Sequence, residues 1–304
     1  METNNSNPKE SKYEFLKNFL IGGIAAVLAK TSMAPIDRVK TILQCQDANR
    51  QVEIDASKKY KGIIDCFKRI PKEQGFTSFW RGNFVNCIRY FPAQALNFAF
   101  KDLFEKYNTI ADKNKLRYFA CNLLCGGAAG GASLTIVYPI DFCKTRLATD
   151  IGKAAQDREF NGLNNCIQKI LKTDGLIGFY RGFCISVTRM IIYRSIYFGV
   201  YDSIKHWAFK DYHNANTFYL FLLAQFSTNL SSFLSYPLDT IRKRLMMMSG
   251  RKTKYYTNSI GCLRHILKNE GTSGLYKGAL SNIFKGMGGA LILVFYDKRQ
   301  LLFR

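Results

Sequence analysis

Pro237-Leu238-Asp239-Thr240-Ile241-Arg242 decides the fold, because it is the third copy of a pattern that recurs about every hundred residues. The first copy is Pro35-Ile36-Asp37-Arg38-Val39-Lys40 and the second is Pro139-Ile140-Asp141-Phe142-Cys143-Lys144. Each sets an acid and a base at i and i+3 on one helical face, just past a helix-kinking proline. Three such ends, brought together, close a ring of ion pairs.

Working outward, the rest of the chain repeats with the same period. Small residues precede each copy, as Gly22-Gly23, as Gly126-Gly127 with Gly130-Gly131, and as Ser231, Ser232 and Ser235. They permit close helix packing in lipid. After each copy comes an aromatic-x-Gly (Tyr60 to Gly62, Phe160 to Gly162) or its variant Tyr256-Thr257-Asn258, in which Asn258 can cap a helix. Cys66, Cys166 and Cys262 follow six residues after those aromatics, and they suit packing better than reactive chemistry because no activating group is evident. Next come Trp80-Arg81-Gly82, Tyr180-Arg181-Gly182 and Tyr276-Lys277-Gly278, with Arg89, Arg189 and Lys285 each seven residues beyond the glycine.

The spacing predicts an all-α membrane protein with six transmembrane helices in three pairs, related by pseudo-threefold symmetry around a central cavity. Short amphipathic helices join the pairs. The units are expected at 15–115, 116–214 and 215–304 after a polar tail at 1–14, integrated into one domain. Lys30 lies two helical turns before Asp37, so both face one side, and the cost of charge in lipid makes that side wet.

With 44 basic and 22 acidic residues the chain carries +22, which calls for an anionic partner. A nucleic-acid polymer is disfavoured: the bases are scattered among apolar helices, without a zinc-finger, RNA-recognition or basic-zipper pattern. Nine cysteines form no CxxC pair and the three histidines stand apart, so neither metal nor covalent chemistry is expected. The first eleven residues have neither the apolar core of a secretory signal nor an Arg-rich presequence.

The three Pro-x-Asp-x-x-basic copies, each followed by aromatic-basic-Gly, resemble the mitochondrial carrier family over nearly all of residues 15–303. The likeness is to its adenine-nucleotide members through Trp80-Arg81-Gly82-Asn83, Ile88-Arg89-Tyr90-Phe91-Pro92, Tyr197-Phe198-Gly199-Val200-Tyr201-Asp202 and Lys285-Gly286-Met287-Gly288-Gly289-Ala290. The resemblance implies a non-enzymatic antiporter of the mitochondrial inner membrane that exchanges ADP and ATP by alternating access. Alternatives are carriage of another phosphorylated anion and a structural subunit of a respiratory complex.

The resemblance also implies roles. Asp37, Asp141 and Asp239 with Lys40, Lys144 and Arg242 form the matrix gate, expected as modest ion pairs beside water. Lys30, Arg89, Asn97, Tyr193, Arg194, Ser235 and Arg242 match substrate positions, and Lys30 and Arg89 suit phosphate oxygens. Tyr193, Tyr197 and Tyr201 form an i, i+4, i+8 stripe that suits packing or a path lining, and the resemblance favours the path. Gly62, Gly82, Gly162, Gly182 and Gly278 resemble cardiolipin sites, where helix N-termini face a lipid phosphate, although such glycines also serve simply to end turns. Cardiolipin is thus the one bound lipid implied, with no cofactor.

The chain departs from the family in three places. Lys243 interrupts a run of arginines. Arg189-Met190 replaces a small glycine and an isoleucine beside the pocket for adenine, so that Arg89, Arg189 and Lys285 make a symmetric basic triad. At the cytoplasmic gate, Asp102, Asp202 and Asp297 are followed three residues on by Glu105, Lys205 and Gln300, which predicts a weak gate where only Lys205 pairs.

Overall fold

The computed structural model describes residues 8–107, 115–152, 157–208, 217–251 and 253–282. Its long helices are α1 (Pro8–Cys45), α4 (Asn83–Tyr107), α5 (Lys115–Thr149), α7 (Phe183–Ala208) and the pair α8 (Thr217–Leu234) and α9 (Tyr236–Met247). The short ones are α2 (Arg50–Ile54), α3 (Ile63–Gln74), α6 (Leu163–Asp174) and α10 (Ser259–Glu270). The chain turns helical again at 280–282, and the sixth long helix expected from the sequence lies beyond the described residues. By apolar length and composition alone, one stretch among the described residues, Leu176–Tyr201, is suited to cross a membrane.

The proline kink takes two forms. Pro35 and Pro139 lie inside continuous helices, α1 and α5. In the third unit the helix breaks at Ser235, and α9 starts anew with Pro237 in its first turn. Pro237 lacks the amide proton that would continue the ladder. The Ser231 hydroxyl also donates to the Ser227 carbonyl at 2.6 Å, a back-bond that bends helices.

Each unit has its own small core under its amphipathic helix. Cys66 with Ile70, Cys166 with Ile170 and Cys262 with Ile266 point inward at i and i+4, all essentially inaccessible. Burial pushes the Cys66 and Cys262 thiols up to about 12, so they are packing groups rather than nucleophiles. Asn258 caps α10, its side-chain oxygen accepting from the Gly261 amide at 2.7 Å.

The units are joined by close backbone contact. Gly82, Gly182 and Gly278 have φ of +81°, +80° and +81°. A Cβ at these positions would lie 3.0, 3.0 and 3.1 Å from the carbonyl oxygens of Lys144, Arg242 and Lys40, respectively. Unit one therefore abuts unit two, two abuts three, and three abuts one, each time on the gate cation's own backbone. This gives the glycines of aromatic-basic-Gly a structural reason: both the dihedral and the gap exclude a side chain.

A Gly182→Ala chain is expected to lose about 1–3 kcal/mol of stability, the cost of a non-glycine residue in the left-handed region. Thermal unfolding of the purified carrier in detergent checks this, and an unchanged midpoint would contradict the contact.

Candidate functional site

The motif carboxylates sit where the units meet. On α9, Asp239 lies 3.6 Å from Lys40 Nζ of unit one, 3.4 Å from Lys243 Nζ and 3.4 Å from Arg189 Nε of unit two. On α5, Asp141 lies 3.0 Å from Arg242 Nη2 of unit three and 3.0 Å from Arg89 Nε of unit one. Asp37 and Lys144 line one small cavity together with Gly82. Lys40 with Asp239 and Arg242 with Asp141 are thus paired directly across units.

The gate is drier than the sequence suggested. The side chains of Asp239 and Asp141 are 6% and 13% exposed, whereas Arg89 and Arg189 are each 27% exposed. Desolvating a carboxylate costs several kcal/mol, which a single cation offsets poorly. Here five cations surround two carboxylates. The two arginines on the long helices approach through Nε without aligning a hydrogen bond. Their contacts are charge against charge and can part without leaving a broken hydrogen bond behind.

Several supporting residues were not anticipated. Lys243 Nζ donates to Gln44 Oε1 at 2.8 Å, and Gln44 Nε2 donates to Thr240 Oγ1 at 2.8 Å, so Gln44 braces unit three from unit one. Lys40 Nζ donates to Asn282 Oδ1 at 2.7 Å. Arg242 and Lys40 lie over the rings of Tyr138 and Tyr236, at 5.3 and 5.0 Å from the centroids. Gln44 could have been found as the residue one turn past Lys40 on the gate face, and Asn282 from its repeat, since Asn86 stands at the same offset of four from Gly82 and lines the small cavity with Lys144.

Below the ring, three fully buried arginines fasten the units in the same cyclic order. Arg38 Nη2 donates to the Asp150 carbonyl at 2.9 Å, Arg146 Nη1 to the Met247 carbonyl at 2.8 Å, and Arg244 Nε to the Gln44 carbonyl at 3.3 Å. Arg244 also forks onto Glu270. Farther out, burial pushes the Asp47 carboxyl up, but hydrogen bonds from Lys277 and Lys59 overcome this and hold it at about 2.

The candidate substrate residues separate into groups. Lys30 Nζ sits 4.0 Å from the centroid of the Tyr90 ring, a cation–π contact on the cavity side. Tyr193, Tyr197 and Tyr201 form a stacked ladder with centroids 6.4 and 6.0 Å apart. The Arg194 guanidinium packs on Gly130, where a Cβ would come within 3.2 Å. Asn97 and Met190 are half-buried on α4 and α7.

Three of the candidates are engaged within the protein. Arg89 rests on Asp141 and Arg189 on Asp239. Arg242 is likewise paired with Asp141. Ser235 is fully buried at the helix break. The side chains of Asp102, Asp202 and Lys205, and the whole of Lys285 and Asp297, lie outside the described residues, so the cytoplasmic gate and the third member of the basic triad do too.

Among the lipid candidates, Gly62 and Gly278 line one cavity of about 840 Å³ with Lys59, Lys61 and Lys277, which gathers three cations around two glycine turns. Gly82 instead borders the small gate cavity. Gly162 and Gly182 stand at the starts of α6 and α7.

Comparison with known proteins agrees with this geometry. The profile of the mitochondrial carrier protein family matches residues 11–110, 116–212 and 213–304. "ADP/ATP translocase 2" of Bos taurus is 52% identical over 297 residues, spanning 95% of this chain and 98% of that protein. "ADP/ATP translocase 3" of Homo sapiens gives the same identity and coverage. "ADP/ATP translocase 4" of Mus musculus is 49% identical over 308 residues, spanning 97% and 95%.

Asp239→Asn leaves Lys40, Lys243 and Arg189 facing one another with no anion. The expected loss is about 3 kcal/mol, as for breaking a buried pair from one side. Thermal unfolding in detergent reads it, and a midpoint within a degree of the parent would refute the role given to Asp239.

Proposed function

The chain belongs to the mitochondrial carrier family, multi-pass proteins of the mitochondrial inner membrane, and from that membership we propose that it exchanges ADP for ATP by alternating access. The observation that carries the proposal is the cation excess where the three units meet. Five cations share Asp141 and Asp239, and the two most exposed of them, Arg89 and Arg189, project from the long helices α4 and α7. A phosphate group descending the cavity meets these arginines already bound to a weaker, desolvated partner. Transfer of a guanidinium from carboxylate to phosphate makes charge-assisted hydrogen bonds in place of misaligned contacts.

That exchange of partners couples cargo to gate. Each arginine that turns to the cargo subtracts one cation from a gate carboxylate, leaving Asp141 to Arg242 and Asp239 to Lys40 and Lys243. A gate weakened in proportion to the cargo's charge opens only when loaded, which is the requirement for antiport. Lys30, on its tyrosine, extends the phosphate-binding surface, and the tyrosine ladder on α7 offers ring faces along which a base can pass. The cavity bounded by Gly62, Gly278 and Lys277 would take a cardiolipin phosphate, the membrane partner this reading includes.

Arg189 favours keeping a second cargo in view. Its guanidinium can stack on a base or add a phosphate-binding charge, and the second use suits a phosphorylated anion other than an adenine nucleotide equally well.

Proteoliposomes containing the carrier are expected to exchange external labelled ADP for internal ATP. Arg89→Gln should slow this by about tenfold or more, corresponding to one lost charge-assisted bond. Exchange of phosphate-bearing anions but of no adenine nucleotide would select the second cargo. Exchange of nothing, with copurification in a respiratory complex, would make the chain a structural subunit.

A further inference from the structure

On the far side of the gate lies a cavity of about 430 Å³, bounded by α2, the segment after α5, one face of α6 and the turn at Gly250. Its charged lining is Arg50, Arg146, Arg158, Lys169 and Lys172 against Glu159 alone. Glu159 is already paired with Arg146. Asp174, which accepts from the Gly250 amide at the cavity's edge, is taken by Arg181 and Lys254, each at 3.1 Å. Besides that pair the lining carries Arg50, Lys169 and Lys172, together with Arg158, and no second acid among its described residues, in a concavity of the size that binds small ligands.

The cations are held in place. Arg146 is 1% exposed, its Nη1 anchored on the Met247 carbonyl, and its Nε is buried with no acceptor. Lys169 Nζ donates to the Glu159 carbonyl at 2.7 Å and keeps two further protons to give. The charges also work against one another. Burial, and then the nearby Arg158 charge, lowers the pKa of Arg81, as expected where positive groups crowd.

The chemistry of the lining narrows the ligand. Phe160 is 4% exposed, and Arg146 and Lys169 occupy its ring at 5.1 and 5.7 Å from the centroid, so it offers no face for a nucleobase. On α6, Lys169, Lys172 and Thr173 share one face, while the exposed Leu171 points some two hundred degrees around the helix from Lys169. The apolar side belongs to the membrane surface and the cavity side to water. The site is thus built for charge, from the aqueous phase.

We propose that this cavity is a second anion site, on the matrix side, which takes the phosphate chain of a soluble polyphosphate and reads its charge rather than its base. Its lining comes from all three units, Arg50 from the first, Arg146 to Thr173 from the second and Gly250 from the third. A bound polyanion therefore ties the units together in the closed arrangement and is released when they part. The site stands whichever anion the central cavity carries, because it shares no residue with that cavity.

The test uses the full chain with Lys30→Ala, Arg89→Gln and Arg189→Gln, which removes the three cations assigned to central phosphate binding, in nanodiscs of neutral lipid. Titration with inorganic tripolyphosphate by calorimetry is expected to show one saturable, salt-sensitive site. Lys169→Gln with Lys172→Gln, both at exposed positions, should weaken it by about tenfold or more. ATP and GTP should bind alike, within about threefold. No saturable binding, or binding indifferent to the two lysine substitutions, would overturn the proposal. So would a site that binds no tripolyphosphate but retains cardiolipin, by native mass spectrometry, in a manner dependent on Lys169 and Lys172, since the ligand would then be a lipid headgroup.

Discussion

The contact between Arg242 of the third unit and Asp141 of the second is the interaction on which the arrangement turns. It joins two helices that share no covalent neighbourhood, and it does so at the floor of a polar cavity, where neither partner can be left alone cheaply. A buried carboxylate needs more than one cation, and a cavity that admits anions needs cations that are not fully satisfied. Sharing Asp141 between Arg242 and Arg89, and Asp239 among Lys40, Lys243 and Arg189, meets both demands with the same charges. The ring is held by more cations than its two carboxylates need, and in the exchange proposed above it opens because Arg89 and Arg189 turn to the cargo.

Around this ring the protein repeats one fastening three times. A glycine in the left-handed region lies on the carbonyl of the next unit's gate cation, and a buried arginine reaches a carbonyl of the next unit a turn or two deeper. The order one to two, two to three and three to one holds for both. Small differences break the symmetry: Gln44 braces one junction only, and the third unit's helix is broken at Ser235 where the other two are continuous. Such asymmetry gives each junction its own strength, so opening need not begin at all three together.

Much of this was legible in the chain itself because repetition is a signal that one sequence can carry. Three acids and three bases at fixed offsets from prolines specified the ring, and Cys66, Cys166 and Cys262 specified the inward face of the short helices. Residues whose partners lie in another unit were not legible. The spacing of Arg89 and Arg189 was visible, but that they rest on Asp141 and Asp239 depends on how neighbouring units are rotated against each other. Gln44 is a single occurrence with no echo in the other units, whereas Asn282 is echoed by Asn86, each four residues past the glycine of aromatic-basic-Gly. That the third unit's helix breaks at Ser235 was not legible either, because its Pro-x-Asp motif reads the same as those of the other two units. The basic cavity beside α6 draws on all three units, and no local stretch announces it.

The central claim is that the gate is held by charge pairing across units, and a double-mutant cycle on its main contact tests it most directly. Arg242→Gln, Asp141→Asn and the double substitution are compared with the parent by thermal unfolding in the same detergent. The account predicts strong coupling, with the double variant no less stable than the weaker single variant and an interaction energy of about 1 kcal/mol or more. Losses that simply add would mean that the two residues act independently, and the shared ion pairs would not be what holds the gate shut.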